Sequence, residues 1–448
     1  MRNFLILLTV FASEIALSQN YVGYDTDNYS GIHAILNNPG ALADSRTKSE
    51  VSVLSVGSIL ATDYANLTLN NLNKILGDDG FEGFEKFPSN KNEIVFNAEI
   101  LGPSFIFSLN EKSSVGLISR LRIESNFNNV NGELFEGIYE GFPANNFNFQ
   151  QENLDFTTHA WAEIGISYGR VLFSNTHNLF KGGTTIKYLI GGGTVQGISN
   201  SLAGNYDNTN NQVALTGDFT YAISYSDEQD SVDYFNELSS GIGADFGFVY
   251  EYRSNSSIAD SNANNPRGFN QYKLKIGLSI IDIGSIAHDN GQITDYIING
   301  NVSAQELEED FIETLDNNAS QNKYNESFKV SLPTSMHLNI DYNLHNKFYL
   351  NLNVNQNLVE KNAYFNNNRI NLITFTPRYE TRIFGAYLPV STGNLGKTAL
   401  GAGIRLGPLF VGSGTIFSNI SKQANLANVY VGLKISKFHK RKIKTSQL

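Results

Sequence analysis

The chain has 448 residues, a net charge of −11 and no cysteine, which excludes disulfides, thiolate metal sites and a lipid-modified N-terminal cysteine. Its 39 Gly, 22 Tyr and 30 Phe, against 2 Met and 1 Trp, lean toward glycine- and aromatic-rich β structure. No stretch after the first residues reaches the roughly 18 consecutive apolar residues of a membrane helix. A barrel is not excluded, because strands of about 9–11 alternating residues average to a soluble-looking hydropathy, and the mean hydropathy here is −0.23.

In chain order, Arg2, the apolar run from Phe4 to Ala12 and "ALSQ", with Ala16 and Ser18 in a small-x-small pattern, read as a secretory signal cleaved after Ser18. Residues 1–18 are therefore expected to be a signal peptide, and loss of Arg2 and Glu14 leaves the net charge unchanged. Next comes "LNNPGALAD", in which Asn37, Asn38, Pro39 and Gly40 form a turn signal. Pro39 and Gly40 suit the central positions of a type II turn. Residues 19–47 are either a tight turn into the first strand or a hatch folded inside a lumen, with this turn at its inner end.

Strands are expected near 48–60, 93–109, 114–127, 158–173, 180–195, 239–253, 271–286, 327–343, 347–358, 368–379, 382–393, 397–407, 409–418 and 427–438. In "YKLKIGLSI", Tyr272, Leu274, Ile276, Leu278 and Ile280 share one face, and Lys273 and Lys275 lie on the other. In "SMHLNIDY", His337, Asn339 and Asp341 oppose Met336, Leu338, Ile340 and Tyr342. In "FYLNLNVNQ", Asn351, Asn353 and Asn355 oppose Phe348, Leu350, Leu352 and Val354. With Arg405 and Lys434 from the last strands, these residues are the expected lumen lining.

The links after even-numbered strands are mostly short, and those after odd-numbered strands mostly long, including 61–92, 128–157, 196–238 and 287–326. That alternation is the pattern of a transmembrane antiparallel β-barrel of about fourteen strands, with tight periplasmic turns and large external loops. It predicts a barrel over 48–438, both termini on the periplasmic side, and a basic periplasmic tail at 439–448. The long link 254–270 breaks the pattern. In the external loops, 301–315 reads as a helix opened by a Ser303/Glu306 capping box, and 66–77 as a weaker one.

Other motifs carry less chemistry. "LIGGGTVQG", 189–197, lacks phosphate-loop spacing and a following helix, so its glycines read as a bend in a strand. The acidic run 226–237 lacks the spacing of a calcium loop and reads as solvated. The seven histidines are scattered, with His159 and His337 placed on strands as lumen residues. No catalytic or metal residues, no cofactor and no nucleic-acid partner are assigned.

"LNNPGALAD" resembles the hatch signature of the FadL-type long-chain fatty acid channels and of the PorV and PorP/SprF-type barrels associated with type IX secretion in Bacteroidota. "WAEIGISYGRVL" (161–172), "FKGGTTIKYLIGGG" (180–193) and "LSIIDIGSI" (278–286) look most like an uncharacterised Bacteroidota barrel family related to them. The resemblance implies a hatch-plugged, fourteen-stranded outer-membrane barrel of a Gram-negative bacterium. It implies a non-enzymatic passive channel or binding protein for small hydrophobic or amphipathic molecules, captured by the aromatic segments 81–87 and 135–142. The alternative is a scaffold or shuttle subunit that meets outer-membrane or periplasmic secretion proteins. The polar lumen argues against a fatty acid route straight through the barrel.

Overall fold

The computed structural model describes residues 21–439 except 76–80, 82, 225–238, 255–265, 346, 361–364, 396 and 422–423. The expected signal peptide, the acidic run 226–237 and residues 440–448 of the basic tail lie outside the described residues.

Period-two alternation turns most of the chain into strand. The passes, in chain order, are β1 (Thr47–Thr62), β2 (Asn92–Leu101 and Ser104–Ser108), β3 (Ser113–Val130), β4 (Phe147–Ser174), β5 (Asn178–Asp207), β6 (Gln212–Ile223 and Ser239–Tyr252) and β7 (Leu274–Ser303). They continue as β8 (Ser320–Ser331 and Ser335–His345), β9 (Phe348–Asn357), β10 (Leu372–Glu380), β11 (Phe384–Tyr387 and Val390–Gly393), β12 (Ala399–Leu400 and Ala402–Leu406), β13 (Leu409–Ser413) and β14 (Leu426–Phe438). Neighbours pair antiparallel throughout, and β14 returns to β1 from Thr47↔Phe438 to Ala61↔Leu426, closing the ring.

The described residues hold nineteen strand segments in one sheet. In β2, β6, β8, β11 and β12 two segments lie end to end and share at least one neighbouring pass, so the ring has fourteen passes, in the order the sequence pattern predicts. Pro103, Pro333 and Pro389 sit at three of these breaks. Proline has no N–H to give to the ladder, so it interrupts a strand at such points.

The wall is uneven. β4 has 28 residues and β5 and β7 have 30 each. At about 3.3 Å per residue, 30 residues run to roughly 100 Å, far beyond a hydrocarbon core of about 30 Å. The expected loops 128–157, 196–238 and 287–326 are therefore corrected: most of their described residues continue the strands past the belt. In this extension the alternation is inverted. Asn148, Gln150, Glu152 and Thr216 face solvent, while Phe149, Leu202, Val213, Leu215, Phe219 and Ile298 face inward. With the apolar side chains turned inward, these segments lack the outward apolar alternation of a membrane strand and resemble loops in the sequence.

Helices cover that inner face. α3 (Gly132–Glu140), where the sequence suggested only an aromatic loop, is capped by Asn131, whose Oδ1 accepts from Leu134 N at 3.0 Å. The helix expected over 301–315 is two, α4 (Ala304–Glu309) and α5 (Phe311–Asn318). Ser303 caps the first, and Asp310, in extended conformation, breaks the pair and caps the second through Ile312 N at 2.9 Å and Glu313 N at 3.1 Å. Leu134, Leu307 and Leu315 then seal onto Phe149, Leu202, Phe219 and Tyr296. A helix α2 (Leu69–Ile75) lies inside the weaker prediction at 66–77.

Below the extension the outer face is oily. Ile166, Ile186, Ile242 and Ile435 are 66%, 62%, 71% and 63% exposed. Ile166 pairs directly with Ile186, and Tyr188 with Ile242, so the exposed positions form a continuous patch. Such a surface is too large and apolar for water to tolerate on a soluble monomer. Phe107, Phe173, Phe180, Tyr342, Phe348 and Phe384 are exposed on the same face beside the short turns, and Tyr252 at the same end, as an aromatic girdle. The fold is a transmembrane antiparallel β-barrel with a filled lumen and short helices outside the belt.

Candidate functional site

The lumen is filled first by the chain's own N-terminal segment. Residues 21–46 form a turn, the helix α1 (Ile32–Asn37) and a 3-10 turn, Pro39–Leu42. The expected type II turn is corrected. Asn38 caps the 3-10 turn, its Oδ1 accepting from Gly40 N at 2.9 Å, and Pro39 takes the first position, where its missing N–H costs nothing.

Gly40 is needed for space. A methyl group there would press on the backbone oxygen of Gly247. The wall has the matching feature: Gly169, Gly183 and Gly247 are directly paired across β4, β5 and β6. A side chain at Gly183 would overlap the Pro39 carbonyl, and one at Gly247 would overlap Asn38. The glycines form a flat track on which "NPG" lies, backbone against backbone. Asn38 Nδ2 reaches past it to the Phe248 carbonyl at 3.1 Å.

Ionic and aromatic clamps hold the rest of the segment. Arg405 Nε donates to Asp27 at 3.0 Å. Lys434 pairs with Glu50 at 3.0 Å, and Glu50 Oε1 accepts from Ile32 N, the first amide of α1, at 2.9 Å. Tyr24 stacks on Phe410 at 4.0 Å, and His33 packs edge-on between Tyr21 and Phe410. Each such aromatic pair adds about 0.5–1.5 kcal/mol beyond burial.

The other expected lumen residues fall on the wall facing this segment, with one correction. Lys275 pairs with Asp341 at 3.3 Å and donates to Asn28 at 3.0 Å. Asp341 also accepts from Arg378 and from Tyr272, both at 2.6 Å. Asn339 and Asn351 bond each other at 3.3 Å, His337 meets Ser335 at 3.1 Å, and Asn353 and Asn355 continue the row. Asn37 donates to Asp25, and its carbonyl accepts from Ser279 Oγ. Lys273 does not line the lumen. It precedes β7, donates to the carbonyls of Asn343 and Leu344, and lies 4.5 Å from the ring of Tyr342 on the outer rim. Tyr272, assigned outward, points in. Regular pleating begins only at Leu274, so the alternation cannot be extended back through these two residues.

A charged septum, absent from the expected site residues, crosses the lumen above the hatch. Arg120 pairs with Glu99 at 2.9 Å, and Arg122 with Asp282 at 3.0 Å and Glu124 at 2.5 Å. Lys187 pairs with Asp245 at 2.6 Å, and Glu163 joins Arg120. From the opposite side the segment 365–371, between β9 and β10, folds into the lumen, and its Arg369 reaches Asp282 at 2.8 Å and Glu124 at 3.2 Å. Asn368 exchanges two hydrogen bonds with Asn126, and Asn367 bonds His159 at 3.2 Å. "SRLRIES" carried the signal: Arg120, Arg122 and Glu124 alternate with Leu121 and Ile123.

Above the septum lies an apolar cavity of about 140 Å³. Phe127, Phe156 and Phe219 line it from the wall, Leu134, Phe135 and Ile138 from α3, and Phe311 from α5. Phe127 and Phe156 stack at 5.5 Å on its floor. Of the two aromatic segments noted in the sequence, 135–142 contributes directly. Phe81 of the other packs edge-on against Phe135 behind it. "LIGGG" bends β5 beside this level, with Gly193 at φ 148 opposite a register shift at Ala160/Trp161.

A family model described as "Family of unknown function (DUF5723)" matches residues 39–414. The chain belongs to this family. The match begins at Pro39, so in this DUF5723 barrel it takes in the hatch turn, the glycine track, the septum and the cavity. No curated protein matches the sequence. Solved structures similar to the DUF5723 chain include the P. putida toluene transporter TodX, at 9% identity and TM-score 0.45 over 92% of this chain and 95% of that one. A Pseudomonas aeruginosa FadL homologue gives 9% and 0.42 over 92% and 93%, and the CymD monoaromatic hydrocarbon channel 10% and 0.40 over 93% and 98%.

Proposed function

We propose that this chain is a non-enzymatic outer-membrane barrel that takes a small hydrophobic or amphipathic molecule into its external mouth and passes it toward the membrane. The carrying observation is the 140 Å³ cavity lined by Phe127, Phe156, Phe219, Leu134 and Phe311, above the oily belt. An apolar cleft of this kind, whose uncharged polar lining is Asn131, Gln151, Tyr139 and Tyr221, suits an uncharged ligand. Below it the septum and the hatch occupy the lumen, which disfavours free passage of ions or large polar solutes. Both termini face the periplasm in this reading, because the tall strands and capping helices then stand outside the cell.

Binding tests the mouth. The apolar fluorophore N-phenyl-1-naphthylamine, titrated into the barrel in lipid nanodiscs, should brighten saturably at one per chain, and Phe219→Arg should weaken it by at least about tenfold, or 1.4 kcal/mol. Equal signals from empty nanodiscs and from both proteins would remove the proposal. A stoichiometric secretion partner co-purifying with the barrel, with no probe binding, would favour the scaffold reading instead.

A further inference from the structure

A second cleft lies inside the lumen, below the septum, between the hatch and the wall of β7 to β9. It measures about 100 Å³ and adjoins a smaller one of about 30 Å³, the two sharing Asp25, Asn37, His337 and Asn353. The larger is room for a molecule of a few heavy atoms, since one water takes about 30 Å³ of liquid. Four side-chain atoms on this lining have no protein partner: Asp25 Oδ1, His337 Nδ1, Asn353 Oδ1 and Asn355 Oδ1. Asn353 and His337 are 8% and 4% exposed, so these are buried groups on an internal wall.

All four can accept a hydrogen bond. His337 does so in the tautomer whose Nε2–H donates to Ser335 Oγ. Among the carboxylates lining the cleft, Asp27 has Arg405, Asp44 has Arg46 and Glu251 has Lys181, but Asp25 has no ion pair among the described residues. The surrounding cations are taken: Lys275 and Arg378 hold Asp341, and Arg369 holds Asp282. A buried carboxylate left without a cation is costly. Burial accordingly raises the Asp25 carboxyl to about 7, against the opposing hydrogen bond from Asn37.

We propose that this cleft binds a small solute bearing an ammonium group, with the ammonium against Asp25 and its other donors on the side-chain oxygens of Asn353 and Asn355. An ammonium offers three donors and no acceptor, which complements the four unpartnered acceptor atoms, while the lining donors Arg46, Lys181 and Lys275 are already held by Asp44, Glu251 and Asp341. A neutral polyol would leave the Asp25 charge uncompensated. A divalent metal is disfavoured, because the described residues contain no group of three or more His, Asp or Glu placed to hold one. The site is separated from the apolar mouth by the septum, and either assignment can fail without the other.

Calorimetric titration of the full chain, folded in detergent, tests it, with ethanolammonium chloride, potassium chloride and glycerol as probes. Ethanolammonium should bind saturably at one per barrel, Asp25→Asn should weaken it by about tenfold or more, and Asn353→Ala should weaken it several-fold. Glycerol should give only heat of dilution. Potassium competing at equal potency would make this an inorganic cation site and overturn the ammonium assignment. Glycerol binding as tightly, an unchanged affinity in Asp25→Asn, or no saturable heat from any probe, leaving a water-filled cleft, would overturn it as well. If Asp25→Asn fails to show the heat-shifted gel mobility of a folded barrel, the Asn353→Ala/Asn355→Ala double variant decides, with loss of binding supporting the site and unchanged binding refuting it.

Discussion

Arg369 shows how much one side chain can hold. It comes from the link between β9 and β10, yet ends inside the lumen between Asp282 and Glu124. Removing one partner of a buried ion pair typically costs about 3–5 kcal/mol, because the other charge stays buried. Arg369→Ala should therefore release segment 365–371 and, in a barrel from which residues 21–46 are also deleted, raise ion conductance in planar bilayers over the same deletion with Arg369 kept, and unchanged conductance would show that other contacts hold the segment. Asp25 makes a second prediction, with pH. Its folded-state carboxyl titrates near 7, above the ordinary value of about 3.9. A raised carboxyl pKa contributes stability that is complete below the ordinary value and lost as pH rises through 7. With no ammonium solute present, Asp25→Asn should protect the hatch from protease at pH 8 and make little difference at pH 4. Protection equal at both values would contradict the assignment. Asn suits this test because it keeps an acceptor for Asn37.

Among the elements, the hatch and its glycine track form one unit. The track leaves no room for a Cβ at Gly183, where the Pro39 carbonyl lies, so Gly183→Val should dislodge the 3-10 turn while β4 to β6 still pair. The expected result is a barrel that keeps its heat-shifted gel mobility but is cleaved within residues 21–46 many times faster by added protease. Cleavage at the wild-type rate would show that the turn does not depend on the track. Much of this scale was legible in the sequence. Alternation in "FYLNLNVNQ" and "SMHLNIDY" placed the Asn row on one face, and loop spacing gave the fourteen passes in order. Pleating is local physics, so a local pattern reveals it. Tyr272 and Lys273 misled because they lie before the pleat begins. The tall wall misled because an aqueous sheet with an apolar interior inverts the membrane pattern, as Gln150 beside Phe149 illustrates. The septum was half legible: Arg120 and Arg122 alternate visibly, but their pairing with Asp282, 160 positions away from Arg122, is set only by ring closure.

On the scale of the whole molecule, polarity inverts once along the barrel axis. The belt is oily outside and charged inside, whereas the extension is polar outside and apolar inside. That inversion places an apolar chamber directly above a charged septum, with the hatch below. Deleting residues 21–46 alone should leave conductance low, because the septum still crosses the lumen. A large open pore from that deletion would place the barrier in the hatch instead. A molecule captured in the mouth has charged groups beneath it and the oily belt beside it, which is why a hydrophobic solute is the cargo proposed. The most direct test of that claim is flux: vesicles carrying the barrel and vesicles without it, compared for entry of toluene and of medium-chain alcohols against glucose. The expected result is faster entry of the hydrophobic probes with the barrel, slowed by Phe219→Arg, and no change for glucose. Equal rates with and without the barrel for every hydrophobic probe, or faster entry of glucose alone, would contradict it.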